Sequence, residues 1–245
     1  MSHTTSGRWR TAIALAKAIL SPQGFTGSPS ETAVKAVLPA KDTCHASQEA
    51  LDALVCDAAP RQGCWTEADY LWLTDRAEGR IEFTDGHIEL LPMPTLAHQL
   101  ILGLLYEAFV AWVRPRGGVV VFSGLRLRVR ENKFREPDLL LLCDRHEAQN
   151  RFWLGADLVL EVVSPDGEKR DWVQKRADYA EGRIPEYWIV DPPARTLTVL
   201  TLANEAYTEH GVFGDGDTAT SVLLPGFSVD VTALFDAARE SVGAT

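Results

Sequence analysis

Two carboxylates interrupt apolar runs that otherwise read as buried strands. Glu161 sits inside Asp157-Leu-Val-Leu-Glu-Val-Val-Ser164, and Asp138 opens a second run directly after Pro137. A carboxylate desolvated in a central strand costs several kcal/mol unless it is paired or bound to a metal. Glu161 therefore requires a partner, a place at the sheet's end, or a cation. Asp138 says less by itself, since Pro-Asp before a strand is a common turn signal. Together, at the mouths of two strands about two dozen residues apart, the pair can converge on one hard cation. Mg²⁺ is the expected ion and Mn²⁺ its substitute. A nearby lysine would complete a phosphodiesterase site, because it stabilises charge developing on the phosphorane and can hold an attacking hydroxide. The following helix offers one. Asp171, Lys175 and Tyr179 recur every four residues and share one face. The bland alternative is an i, i+4 ion pair on a wet helix.

The elements that must position these groups are legible in outline. Thr66-Glu67-Ala68-Asp69 opens a short helix with a capping-box pattern. Arg80 to Thr84 and His87 to Leu91 flank Asp85-Gly86, the signal for a type I′ hairpin. Thr95 caps a helix over 95–113 whose apolar residues, Leu100, Ile101, Leu104, Leu105, Phe109 and Trp112 among them, form one face. Runs at 119–122, 125–129, 138–143 and 158–163 predict strands, the last two apolar enough for burial on both faces. A helix at 171–181 is followed by strands near 186–190, 196–201, 206–212 and 227–229, and by a final helix from about Thr232. The pattern predicts an α/β domain: a central, mixed but mainly antiparallel sheet flanked by helices.

Composition bounds the rest. The chain has 245 residues, 46% hydrophobic and 24% charged, enough for a sizeable core. No apolar run reaches the roughly 18 residues of a membrane span, and the stretch Ala12 to Leu20 is interrupted by Lys17. Cys44, Cys56, Cys64 and Cys143 form no CxxC pair, so a reduced cytoplasmic setting is expected. Residues 1–64, rich in Ala, Ser, Thr and Pro, read as an appended, partly disordered segment with short helices at 9–20 and 46–57. Residues 65–245 form the main domain. The net charge of −10 argues against indiscriminate polyanion binding, so a nucleic acid would be held by a local patch. Arg126, Arg128 and Arg130 alternate with Leu127 and Val129, which puts them on one strand face. That stripe is either a phosphate contact or a solvated face.

The order Glu136-Pro137-Asp138, Leu160-Glu161-Val-Val-Ser-Pro165, Asp171-xxx-Lys175-xxx-Tyr179 and Pro185-Glu-Tyr-Trp-Ile-Val-Asp191 resembles the PD-(D/E)XK nuclease superfamily. More narrowly it is similar to the Uma-two family of bacterial restriction-type endonucleases. Ile81-Glu82-Phe-Thr-Asp85-Gly86-His-Ile88, His98 and Leu224-Pro225-Gly226-Phe227 agree with that branch. The resemblance covers roughly residues 65–236. It implies a restriction-endonuclease-like core in which Asp138 and Glu161 ligate the metal and the backbone carbonyl of Val162 adds a third ligand. Position 163 is Val where the superfamily motif has Lys, and Lys175 is the matching lysine of this branch. Glu82 matches a further polar position and could add a ligand; His98 could contact substrate or water. For both, a polar residue fastening the hairpin to the helix is an equal reading.

Three functions follow. The first is a Mg²⁺-dependent endonuclease acting on DNA, with the arginine stripe as its contact and a homodimer allowed. The second, from another class, is a noncatalytic nucleic-acid or protein-binding module on a nuclease scaffold, favoured by the acidic balance and the missing local lysine. The third, a nuclease for structured RNA, is disfavoured by the lack of a stacking aromatic cluster. The presence of both Asp138 and Glu161 selects the first.

Overall fold

The computed structural model describes residues 60–77, 79–122, 124–143, 148–149, 151–164 and 169–243. The helices expected at 9–20 and 46–57 lie outside the described residues. The chain divides into two compact units, Met1–Leu91 and Pro92–Thr245.

The described part of the first unit is a helix on a hairpin. Thr66 and Asp69 form the expected capping box, each side chain accepting the other's backbone N–H at 3.1 Å, and start α1 (Glu67–Thr74). Tyr70 of α1 stacks on Phe83, ring centroids 5.2 Å apart, and its hydroxyl donates to the Ile81 carbonyl. Ile81 and Phe83 belong to β1 (Ile81–Thr84), which pairs with β2 (His87–Leu90). The turn residues Asp85 and Gly86 have φ of 44° and 84°, as a type I′ turn demands. Gly86 has a second reason to be glycine. A Cβ there would lie 2.6 Å from the Gly63 carbonyl oxygen.

The second unit is built on a six-stranded mixed sheet, in which β3 (Val119–Phe122), β6 (Leu139–Leu142) and β9 (Leu158–Val162) adjoin β10 (Glu186–Asp191), β11 (Thr196–Ala203) and β12 (Ala206–Phe213). Its order is β12-β11-β10-β9-β6-β3. Only the β9–β10 pairing is parallel. All of β6 and β9 is buried because both faces are covered. Leu139, Leu141, Leu158, Leu160 and Val162 face α2 (Leu96–Val113) and α4 (Val231–Gly243). Leu140, Val159, Val163 and Ile189 face the opposite way, onto α3 (Arg176–Glu181). Truncating one of these leucines to Ala costs about 2–5 kcal/mol.

Helix α2 is longer and more apolar than a run-length reading registers. Leu96–Arg116 is long and apolar enough to cross a membrane by length and composition. Its buried stripe, Ile101, Leu102, Leu105, Phe109 and Val113, is spent on the sheet, so it is a core helix. Pro115 in a 3₁₀ turn and Gly117 at φ 86° end it.

Four shorter strands in this unit form part of a second sheet, in the order β5 (Lys133–Arg135), β4 (Leu127–Arg130), β8 (Phe152–Trp153) and β7 (Ala148–Gln149). A small antiparallel pair, β13 (Thr218–Thr220) and β14 (Ser228–Asp230), precedes α4. Strand β5 was not expected from sequence. Its Lys133 and Arg135 are charged, yet both are buried on Asp178 of α3, each at 2.6 Å.

Candidate active site

The site begins where β6 and β9 run out of ladder. Leu139 opposes Leu160, and continuing that register one step places Asp138 opposite Glu161. The Val162 backbone N–H donates to Asp138 Oδ2 at 2.9 Å, which closes the pairing through a side chain. Asp138 and Glu161 thus project from adjoining strands on the side that faces α3.

A wide π-helical turn, Arg170–Lys175, leads into α3 and brings the third group. Lys175 Nζ lies 2.8 Å from Glu161 Oε1 and 3.5 Å from Asp171 Oδ1. The Tyr179 hydroxyl donates to the same Glu161 oxygen. Asp138, Glu161 and Lys175 are each 2% exposed, so the Asp171–Lys175 pair is no ion pair on a wet helix. The Arg170 guanidinium is more distant, its Nε 4.0 Å from Asp171 Oδ1. Behind the site, burial pushes the Tyr187 phenol well above its usual range, and the negative field of Glu161, Asp171 and Asp138 adds to the effect. Its hydroxyl therefore stays protonated and donates to the Asp171 backbone carbonyl at 3.0 Å.

His98 enters from the first turn of α2, where Thr95 accepts its backbone N–H. Its Nε2 lies 3.3 Å from Asp138 Oδ2, but the approach is not that of a hydrogen bond, and this buried nitrogen has no such partner among the described residues. The donor set fits a hard divalent cation on chemical grounds. Two buried carboxylates (Glu161, Asp171) flank one buried ammonium, the buried Asp138 stands opposite Glu161 in the continued register, and oxygen ligands are what Mg²⁺ and Mn²⁺ take. Among the described residues no group of three His, Cys, Asp or Glu side chains is drawn together as a ready metal cluster. Lys175 stands between Glu161 and Asp171 instead. Asp138 and Glu161 are the side chains that could hold an ion, with the Val162 carbonyl beside them.

The remaining candidates lie on other elements. Glu82 is buried on β1 in the first unit, opposite Glu89 in the hairpin register. Arg126 precedes β4, and Arg128 and Arg130 lie on it, but a bulge between these two breaks the strict alternation. The Arg128 guanidinium stands 6.0 Å from the rings of Phe134 and Phe152. Arg130 Nε is bonded to Glu181 at 2.7 Å. Lys133 bridges Asp178 and Glu181 at 2.6 Å each. Much of the basic segment is therefore tied to α3. Sequence reasoning singled out neither Asp178 nor Tyr187; the tyrosine's only signal was its place in the 185–191 segment.

A crystal structure from Anabaena variabilis ATCC 29413, described as "a putative nuclease belonging to DUF820", is similar with a TM-score of 0.60. It is 20% identical, and the match covers 71% of this chain and 99% of that one. The likeness defines the class of fold, a nuclease-like mixed α/β core. The sequence model of the Uma2 family, described as "Putative restriction endonuclease", matches residues 67–232. The chain belongs to the Uma2 family. No curated protein matches it. The family resemblance carried by the residues from Asp138 to Asp191 is thereby borne out.

Proposed function

We propose that this chain is a divalent-metal-dependent endonuclease that hydrolyses phosphodiester bonds of DNA. The observation that carries the reading is the convergence of Asp138 and Glu161 from adjoining strands with Lys175 from the following helix, all three buried. Membership of a restriction-endonuclease family supports it. Asp138, Glu161 and the Val162 carbonyl would hold Mg²⁺ or Mn²⁺, which when bound polarises a phosphoryl oxygen and lowers the pKa of a water.

The chain's own groups supply the remainder. Lys175 carries a fixed positive charge, preorganised against Glu161, to oppose the charge that develops on the phosphoryl oxygens. Tyr179 and Lys175 both bind one oxygen of Glu161 and so fix the direction of its carboxylate. His98 contacts substrate or water beside Asp138. Arg126 and Arg128 contact the DNA backbone.

The test is plasmid cleavage with Mg²⁺ or Mn²⁺, with metal binding measured separately by calorimetry. Asp138→Ala and Glu161→Ala should abolish both. A wild type that binds no divalent ion and cuts no duplex, single-stranded or branched DNA overturns the reading. DNA binding retained by such a protein would mark a noncatalytic module.

A further inference from the structure

The segment Pro185-Glu-Tyr-Trp-Ile-Val-Asp191 alternates between the two faces of the sheet as β10. Glu186 and Trp188 face the β13–β14 side, where Glu186 binds Ser221. Tyr187 faces the site. Its ring meets Tyr179 edge-on with centroids 5.1 Å apart, and its hydroxyl holds the Asp171 carbonyl in the π-turn.

In an α-helix that carbonyl would be committed to the N–H of Lys175, four residues on. A π-turn shifts such bonds to the fifth residue, and a side chain entering the ladder is a known cause of helix distortion. The wide turn has a geometric consequence. Four residues of α-helix advance about 40° past a full revolution, so Asp171 and Tyr179 would drift about 80° apart in a continuous α-helix. A turn with more residues per revolution falls short over the same four residues and takes that drift back. Lys175 accordingly reaches both Asp171 and Glu161, and Tyr179 reaches the same oxygen of Glu161.

We propose that Tyr187 is a positioning residue: its hydroxyl, by holding the Asp171 carbonyl, maintains the π-turn that delivers Lys175 to Glu161. The consequence for catalysis rests on the nuclease reading; the consequence for Lys175 does not. Tyr207 is an internal control. Its hydroxyl donates to the Ile184 carbonyl at 2.7 Å and its ring neighbours that of Tyr187 at 5.9 Å, but this bond lies outside the turn.

Tyr187→Phe and Tyr207→Phe each remove one buried hydroxyl and keep the ring. In the full chain, both should lower the melting temperature by similar amounts. Lysine acylation followed by mass spectrometry should show Lys175 unprotected only in Tyr187→Phe. The same variant should lose about 10²-fold in kcat for Mn²⁺-dependent plasmid cleavage, with KM unchanged. Lys175 as protected in Tyr187→Phe as in wild type overturns the proposal. So does equal loss of protection in both variants, since the tyrosine cluster as a whole would then set the turn. A wild type without cleavage sinks the nuclease reading alone, because the acylation comparison still decides what Tyr187 does.

Discussion

The carboxylate of Asp138 accepts the backbone N–H of Val162, the residue after Glu161, at 2.9 Å. One side chain therefore ends the β6–β9 ladder and sets a negative charge beside another. Asparagine at 138 keeps an acceptor for Val162 and removes the charge. Asp138→Asn should melt no lower than wild type in chelator, yet lose the rise in stability that divalent metal gives. At 100 times Kd that rise is about 2.7 kcal/mol. Scanning calorimetry with and without Mn²⁺ measures it, and an undiminished rise in Asp138→Asn would remove Asp138 from the metal site.

Lys175→Met separates charge from shape. The ammonium lies 2.8 Å from Glu161 Oε1, and breaking a buried pair from one side costs about 3–5 kcal/mol. The variant should be destabilised without metal, regain more stability than wild type when Mn²⁺ is added, and fail to cleave. Urea titrations at several metal concentrations report this. Metal affinity falling together with cleavage would mean that Lys175 serves the metal and not the transition state.

The arginines should divide. Arg130 is bonded to Glu181, so Arg130→Ala should change stability and leave the salt dependence of DNA binding alone. Arg126→Ala and Arg128→Ala should each weaken binding to all sequences alike and lower the salt slope by about one. Fluorescence anisotropy over a salt series decides. Unchanged slopes for both would return the stripe to a solvated strand face.

Much of this architecture is readable from sequence because its causes are local. Leu139–Leu142 and Leu158–Val162 announce strands covered on both faces, and Asp85-Gly86 announces its turn. Glu161 is visible as the charge that breaks such a run. What escapes is stabilised from far away. Strand β5 is charged, and the Asp178 that neutralises it is 45 residues from Lys133. The π-turn keeps a four-residue spacing that reads as plain α-helix. The bond from Tyr187 ends on a backbone carbonyl 16 residues earlier, and a carbonyl leaves no trace in residue type.

Acid should act partly through Glu181. The hydrogen bond from Lys133 holds its carboxyl below the usual range, burial opposes that, and Arg130 adds to the lowering. A folded-state pKa below the unfolded value of about 4.5 means that the contribution is present above that pH and is lost as pH falls through the folded value. Glu181→Gln should therefore lower the melting temperature slightly near neutrality and converge with wild type at low pH, which flattens the acid limb of the melting-temperature profile. The side chain is 44% exposed, so solvent screening keeps the effect small. An acid limb as steep as that of wild type would assign the loss to other carboxylates.

Glu186 shows what a buried structural carboxylate looks like beside Glu161. It is 1% exposed on β10, one strand away, but every partner is a neutral donor. Trp188 Nε1 and the Ser221 hydroxyl bind Oε1 at 2.6 and 2.7 Å, and the N–H groups of Val222 and Leu223 bind Oε2, both at 2.8 Å. No orientation of a glutamine amide can satisfy that set, because its NH₂ would face the Trp188 indole N–H one way round and the backbone N–H groups of Val222 and Leu223 the other. Each charged hydrogen bond is worth about 1.5–3 kcal/mol, so Glu186→Gln should lose roughly 3–5 kcal/mol once relaxation is allowed for. The damage should stay near the 221–224 segment. Below its melting point the variant should bind divalent metal as wild type does and keep Lys175 protected from acylation. A loss of metal affinity without a loss of stability would place Glu186 in the site's chemistry and remove the distinction between the two glutamates.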